Sequence, residues 1–318
     1  MIKKFIALTL LTVATVTFAS GTSSPITLVV ASTPGSNVDL QARAVAKKIE
    51  DDGVQIVVKN MPGANGTIAA QAVARAQPNG LTVGLFDNGV SITNMIRAVP
   101  NSPTKEQLIP VSAVMSWPLN VLTWGDAPFN DLTGMMQFLR KEPVGKYNYA
   151  IFTQNLAIWP EWLLTSGNAK SANVQGILYK GGPQIMHSVL SKETLFTFNN
   201  LADALPHMES GRIKVIAVGS DKRLSVVPNI PTISETYPGM IINNFSAVYA
   251  PANTPPAVVE NLNRVFAKAL ADPEIKLLFS NRGFVVLGAT VSKTQEYYNE
   301  NYRSTETVMT KFKHLLTN

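Results

Sequence analysis

The residues best suited to bind a ligand lie in a short polar segment, residues 31–39, which reads ASTPGSNVD. The segment joins a predicted strand to the start of a predicted helix. The first N–H groups of a helix lack partners within it, and the helix dipole adds about half a positive charge there. Such a corner suits a carboxylate or phosphate, here through Thr33, Gly35, Ser36 and Asn37. Plain helix capping by Ser36 or Asn37, without a ligand, is the open alternative.

Other corners have the same character, because each follows a predicted strand. Residues 62–67 read PGANGT and lack the lysine of a nucleotide-binding P-loop, so this corner either lines a cleft through Asn65 or is a tight turn. The next corner contains Asn88. Ligands of open α/β sheets bind where strands end, so these corners are predicted to face one cleft. Three later corners complete the set: Thr153-Gln154-Asn155, Tyr179-Lys180-Gly181-Gly182 and Asn199-Asn200.

Catalytic patterns are missing from the sequence. It contains no G-x-S-x-G elbow, no H-E-x-x-H pair and no G-x-G-x-x-G loop. The three histidines are isolated and there is no cysteine, so neither a catalytic residue nor a metal site is predicted. No cofactor is expected. Trp159 and Trp162 lie one helical turn apart, which is typical of a core face, although Trp159 near the helix start is also a candidate ligand platform.

The elements that position these corners alternate between strand and helix. Apolar, β-branched runs at 26–31, 54–58 and 81–86 predict buried strands, and residues 38–50 and 67–76 between them show helical spacing. This alternation predicts a mostly parallel sheet covered on both faces. The pattern repeats in the second half of the chain, and residues 292–316 predict a long amphipathic helix.

A length of 318 residues suits two domains. We predict one α/β unit from residues 22–123 together with 241–318, and a second from 124–240. The crossings between them are expected at 124–127 and 240–244. Such a boundary forms a hinged cleft, where ligands commonly bind.

The amino terminus has the layout of a secretory signal. Lys3 and Lys4 precede an apolar run at 5–18, and small residues follow, so residues 1–21 are predicted to be removed on export. Without a cysteine the mature chain cannot carry a lipid anchor, which points to the periplasm. The net charge of +6 is spread along the chain rather than clustered in a stripe, which argues against a nucleic-acid partner.

In their order along the chain, several segments resemble the receptors of tripartite tricarboxylate transporters, the Bug family of periplasmic binding proteins. The segments that carry the resemblance are PITLVVASTPGSNVDLQAR, VVKNMPGANGTIAAQAVARAQPNGLTV, YKGGPQ, FNNLADALPHMESGRIKVIAVGS, PNIPTISE, APANTPPAVVENLN and ALADPE. The resemblance implies a two-domain, Venus-flytrap fold of type II-like periplasmic binding proteins, with the ligand cleft between the domains. It also implies capture of a small carboxylate, such as a di- or tricarboxylate, by main-chain N–H groups at two opposed helix starts.

The resemblance implies specific ligand contacts as well. In the first domain they are Thr33 to Asn37, and in the second Thr153 to Ala157, together with Lys180, Gly181 and Asn199. The chain departs from the family at three points. Ser36 replaces a glycine, the second-domain loop is bulkier, and Asn199 stands where the family has an aspartate able to pair a ligand amine. The last departure predicts a ligand without an essential ammonium group.

The resemblance further implies a monomer that docks on the large and small membrane subunits of a transporter. Three alternatives stay open. The chain is a receptor that presents its ligand to a two-component sensor, a secreted α/β enzyme acting on carboxylates, or a structural protein whose cleft binds nothing.

Overall fold

The computed structural model describes residues 24–151, 157–169, 174–179 and 182–311. Strands and helices alternate through the first half in this order: β1 (Ile26–Val30), α1 (Asn37–Asp51), β2 (Ile56–Asn60), α2 (Thr67–Ala74), β3 (Thr82–Asp87), a π-helical turn (Gly89–Thr93), α3 (Asn94–Ile96), β4 (Leu108–Pro118), β5 (Asn120–Trp124), α4 (Leu132–Lys141) and β6 (Tyr147–Ile151). The second half continues with α5 (Ile158–Ser166), β7 (Val174–Leu178), α6 (Gly182–Leu190), β8 (Phe196–Asn199), α7 (Leu201–Glu209), β9 (Ile213–Ala217), α8 (Ile233–Thr236), β10 (Asn243–Pro251), α9 (Pro256–Ala271), α10 (Pro273–Ser280), β11 (Val285–Val286) and α11 (Val291–Lys311).

The first sheet has six strands in the order β11-β4-β10-β3-β1-β2. Strand β1 runs parallel to β2 and β3, as predicted, whereas β10 runs antiparallel to β3 and β4. Both faces are covered. Leu28, Val45 and Phe266 belong to the core on one face. Phe86 and Tyr298 belong to the core on the other, so α11 returns to the first sheet.

The second sheet has five strands in the order β7-β6-β8-β5-β9. Strand β6 is parallel to its neighbours β7 and β8, and β5 is antiparallel to β8 and β9. Its core includes Val121, Leu132, Met135 and Phe196, all essentially buried. Asp131 caps the start of helix α4, since its Oδ1 accepts the amide of Gly134 at 2.7 Å. Two such sheets with helices confirm the two-unit α/β architecture.

The chain passes between the sheets at two neighbouring points. Leu119 separates β4 from β5, and its amide donates to Ile242 O at 2.9 Å, while the Ile242 amide donates to Gly219 O at 2.8 Å. A Cβ at Gly219 would lie 2.6 Å from Ile242 O, so the close passage requires glycine. The crossing expected at 124–127 is therefore wrong, because Trp124 pairs with Ile213 inside the second sheet. Ile242, which forms these hydrogen bonds, lies within the second expected crossing, 240–244.

Within the described residues, no helix combines the length and apolarity needed to cross a bilayer.

Candidate functional site

A cavity of about 440 Å³ lies where the corners of the first sheet meet helices α5 and α11. Its volume is in the range of small-molecule sites. The first sheet's strand ends and the corners after them contribute Ala31, Ser32, Thr33, Pro62, Gly63, Asn65, Gly66, Asp87, Asn88, Gly89, Val90, Thr93, Asn94 and Asn244. Helices α5 and α11 contribute Ile158, Trp159, Thr305 and Met309. The cavity is thus bordered by elements of both sheets.

At the first corner, residues 33–39, several main-chain amides form hydrogen bonds within the protein. Ser36 caps α1, its Oγ accepting the amide of Asp39 at 3.3 Å. The amide of Gly35 donates to Asp39 Oδ2 at 2.8 Å, and that of Ser36 donates to Thr33 O at 3.2 Å. An anion therefore finds these three amides occupied. Ser36 therefore caps the helix, and the amides of Gly35, Ser36 and Asp39 are paired within the protein.

Asp39 is the centre of this closed corner. Its carboxylate also accepts Arg43 Nε at 3.0 Å and Asn60 Nδ2 at 2.8 Å, and its side chain is buried. Burial acts to raise the pKa of Asp39, but the hydrogen bonds from Arg43, Gly35 and Asn60 outweigh it and hold that pKa below its ordinary value. The charged carboxylate fixes the corner that carries Thr33.

The second corner has no side-chain cap, and the main-chain amides of Gly66 and Thr67 donate to Gly63 O and Ala64 O. Asn65 has φ 52° and Gly66 has φ 84°, and Gly66 begins α2 without any side-chain cap. Asn65 O accepts the buried Asn94 Nδ2 at 2.7 Å, which ties the corner to the element after β3. A Cβ at Gly66 would lie 2.5 Å from Val90 Cγ2, so only glycine fits here without displacing the cavity wall. The corner is both a tight turn and part of the wall.

The third corner places an acid in the wall. Asp87 ends β3, and its Oδ1 accepts the amide of Val90 at 3.1 Å. Burial raises the pKa of Asp87, and hydrogen bonds from the amides of Val90 and Gly89 offset only part of that effect. The neighbouring Asn88 was predicted from the sequence as a ligand contact, whereas Asp87 was not.

Helix α5, which belongs to the unit of the second sheet, contributes residues to the cavity wall. Ala157 precedes the helix and supplies no side-chain cap, while Ile158 and Trp159 line the wall. Pro160 has no N–H and therefore supplies no main-chain donor at this end of the helix. The Trp159 and Trp162 rings pack with centroids 6.0 Å apart.

The carboxyl end of α11 closes the cavity from another side. Val308 and Met309 form a buried apolar cluster with Ile158. Ile96, Trp159 and Trp162 pack against this cluster. Because α11 packs on β4 of the first sheet and α5 on β8 of the second, the cluster joins the two units. The sequence identified this tail only as an amphipathic helix.

The structure brings some of the predicted residues together and not others. Thr33, Asn65, Asn88 and Trp159 line the one cavity. Five others do not lie in its wall: Gly35, Ser36, Asn37, Ala157 and Asn199. Asn199 is buried in β8, where its Oδ1 accepts the amide of Asn200 at 2.8 Å. The remaining predicted residues lie outside the described residues: Thr153, Gln154, Asn155, Lys180 and Gly181.

The described wall offers mainly hydrogen-bonding groups. Asp87 is its one charged side chain, and the other polar groups are hydroxyls, side-chain amides and main-chain groups. No group of His, Cys, Asp and Glu in the described part of the chain could hold a metal ion. The wall residues that the structure describes include no histidine or cysteine to act as base or nucleophile. The arrangement suits a small polar guest that forms hydrogen bonds.

Comparison with known proteins points the same way. Residues 41–313 match the model of the family described as tripartite tricarboxylate transporter family receptor. The chain is 31% identical over 265 residues to a UPF0065 protein of Bordetella bronchiseptica, covering 82% of this chain and 77% of the relative.

Solved structures with the same fold include periplasmic binding proteins. The chain is similar to periplasmic binding protein BugD at 26% identity, with a TM-score of 0.73 over 90% of this chain and 97% of that one. It also shares its fold with R. palustris Rpa4515 with adipate, at 23% identity and a TM-score of 0.77 over 90% of this chain and 96% of that one.

Proposed function

Since the chain belongs to the family of tripartite tricarboxylate transporter receptors, we propose that it captures a small organic acid in the cavity between its two sheets and delivers it to a membrane transporter. In this proposal residues 1–21 direct the chain to the periplasm. The predicted units, 22–123 with 241–318 and 124–240, are the two lobes of the receptor. The large and small membrane subunits of the transporter are its partners, and the receptor itself performs no catalysis.

The observation that carries this proposal is a pair of helix starts bordering one cavity. Helix α2 begins at Gly66 and α5 follows Ala157, and neither has a side-chain cap. The first amides of a helix and its dipole favour an anion at such an end. Helix α1, by contrast, is capped by its own side chains. The anion-binding end of the first lobe is therefore assigned to α2 rather than α1.

Two helix starts at one cavity favour a ligand that carries a carboxylate at each of its two termini. The structure similar to this chain that holds adipate, a dicarboxylate, supports the same class of ligand. The guest would bridge the lobes, because one helix start belongs to each sheet. A bridging ligand stabilises the closed arrangement only through its greater affinity for that arrangement.

Binding should be measured by titration calorimetry on the mature chain. The panel should contain succinate, adipate and citrate, with a neutral sugar and lysine as controls. We expect at least one di- or tricarboxylate to bind and the sugar and lysine not to bind. Tight binding of lysine alone would contradict the proposal, because lysine has a single carboxylate for the two helix starts and carries a net positive charge. Mass spectrometry of the titrated acid should show it unchanged, and turnover would favour the enzyme alternative.

A further inference from the structure

The described wall of the cavity contains one carboxylate and no cationic side chain. Asp87 contributes the carboxylate, and it forms no salt bridge with any of the described residues. A dicarboxylate in this cavity meets a negative charge of the protein within the same small volume. The two like charges repel each other, so a favourable contact between the ligand and Asp87 is needed to offset the repulsion.

Asp87 is positioned by its strand and by a hydrogen bond to the following turn. It ends β3, where it pairs in register with Ser246 of β10, and its Oδ1 accepts the Val90 amide at 3.1 Å. The bond to Val90 fixes the carboxylate at the start of the π-helical turn. The partial burial of Asp87 raises the pKa of its carboxyl group. An ionised Asp87 therefore gains from any ligand group that donates a hydrogen bond to it.

We propose, on the basis of the receptor function above, that Asp87 is a specificity-determining residue that selects carboxylates carrying a hydroxyl or ammonium donor. The donor binds the Asp87 carboxylate, and the ligand's own carboxylates bind at the helix starts. Asn199 predicts a ligand without an essential ammonium group, but Asp87 supplies an acid for such a group at a different corner. An acid of the same length without a donor would place only carboxylate oxygens and methylenes against Asp87.

The test compares three acids with the same carbon skeleton: succinate without a donor, malate with a hydroxyl and aspartate with an ammonium group. Titration calorimetry should be performed on the wild-type chain and on Asp87→Asn. Asparagine keeps an oxygen to accept the Val90 amide, so the variant retains the turn while losing the charge. Asp126→Asn, an exposed acid paired with Lys192 at the surface, is the matched control. Thermal melting verifies that each variant is folded.

We expect the wild type to bind malate or aspartate about 10- to 100-fold more tightly than succinate, as for a hydrogen bond to a charged group. Asp87→Asn should reduce that ratio to about threefold or less, whereas Asp126→Asn should leave it unchanged. Equal binding of all three acids by the wild type, or an unchanged ratio in Asp87→Asn, would overturn the role of Asp87 and leave the receptor function intact. Binding of none of these acids, nor of adipate or citrate, would defeat both proposals. Equal binding of the three acids by the wild type overturns the role of Asp87 even if Asp87→Asn does not fold.

Discussion

The carboxylate of Asp39 accepts the main-chain amide of Gly35 at 2.8 Å, so the protein's own side chain occupies the place that an anion would take at the start of α1. The same carboxylate binds Arg43 and Asn60, at 3.0 Å and 2.8 Å. Asp39 is thus a structural anchor. The corner presents Thr33 to the cavity as a fixed wall instead of a flexible clamp.

Replacing this anchor should destabilise the fold. Asp39→Ala leaves the Gly35 amide, the Asn60 amide and the Arg43 guanidinium without their partner, and we expect the free energy of unfolding to fall by about 1–3 kcal/mol. Denaturant unfolding at neutral pH measures the loss. Asp126→Ala removes an acid from an exposed ion pair and should cost at most about 1 kcal/mol. Equal losses in the two variants would show that Asp39 is no anchor.

The contribution of Asp39 should also depend on pH. Because its pKa in the folded state lies below the ordinary value of 3.8, the stability it contributes is present above pH 3.8 and is lost as the pH falls through the lower, folded pKa. The stability difference between wild type and Asp39→Ala should therefore shrink when unfolding is measured at successively lower pH below 3.8. A difference that is constant with pH, or that grows on acidification, would contradict a lowered pKa.

Local patterns predicted much of this molecule. The helix predicted at 38–50 is α1, Asn37–Asp51. Thr33, Asn65, Asn88 and Trp159 reach one cavity because each lies at a strand-to-helix corner. These features depend on a few consecutive residues. Apolar periodicity and turn chemistry are sufficient to locate them.

Other wall residues could not be predicted from the sequence, because long-range packing brings them to the cavity. Asn244 joins the wall from β10, an antiparallel strand whose neighbour in the sheet no local pattern reveals. Thr305 and Met309 reach the cavity only because α11 folds back across both units. Asp87 was within reach of sequence reasoning, since it stands beside the selected Asn88. It was missed because an Asp-Asn-Gly sequence is so often only a turn.

Gly66 should be intolerant of even a methyl group. Gly66→Ala places a Cβ 2.5 Å from Val90 Cγ2 at a φ of 84°, so it combines backbone strain with overpacking in the cavity wall. We expect unfolding free energy to fall by about 2–4 kcal/mol and acid binding to weaken. Gly145→Ala is the matched control, because Gly145 has φ 75° and open space around its Cβ position. Gly145→Ala should show the backbone cost alone, about 1–2 kcal/mol, with binding unchanged.

A negative charge at the start of α2 should repel the ligand. Asn65→Asp keeps the side-chain shape and the left-handed backbone that Asn and Asp both tolerate. It places a charge within several ångströms of the proposed carboxylate, and we expect binding to weaken about 10-fold or more in low salt. Asn253→Asp makes the same change at another exposed residue with φ 65°, outside the cavity wall, and should bind as the wild type does. Calorimetric affinities that agree for the two variants would remove α2 from the site.

Val308 should control how readily the two units separate. Its side chain is buried against Ile158 of the other unit, so Val308→Asp places a charge in an apolar contact and should favour separation. Ligand affinity falls in proportion to the fraction of molecules that are competent to bind. Small-angle scattering should give a larger radius of gyration for the unliganded variant, and saturating acid should restore the compact value. Thr307→Asp adds the same charge to the exposed neighbouring position of α11. If the two variants have the same radius and the same affinity, the cluster around Ile158 does not hold the units together, and the bridging ligand must do so alone.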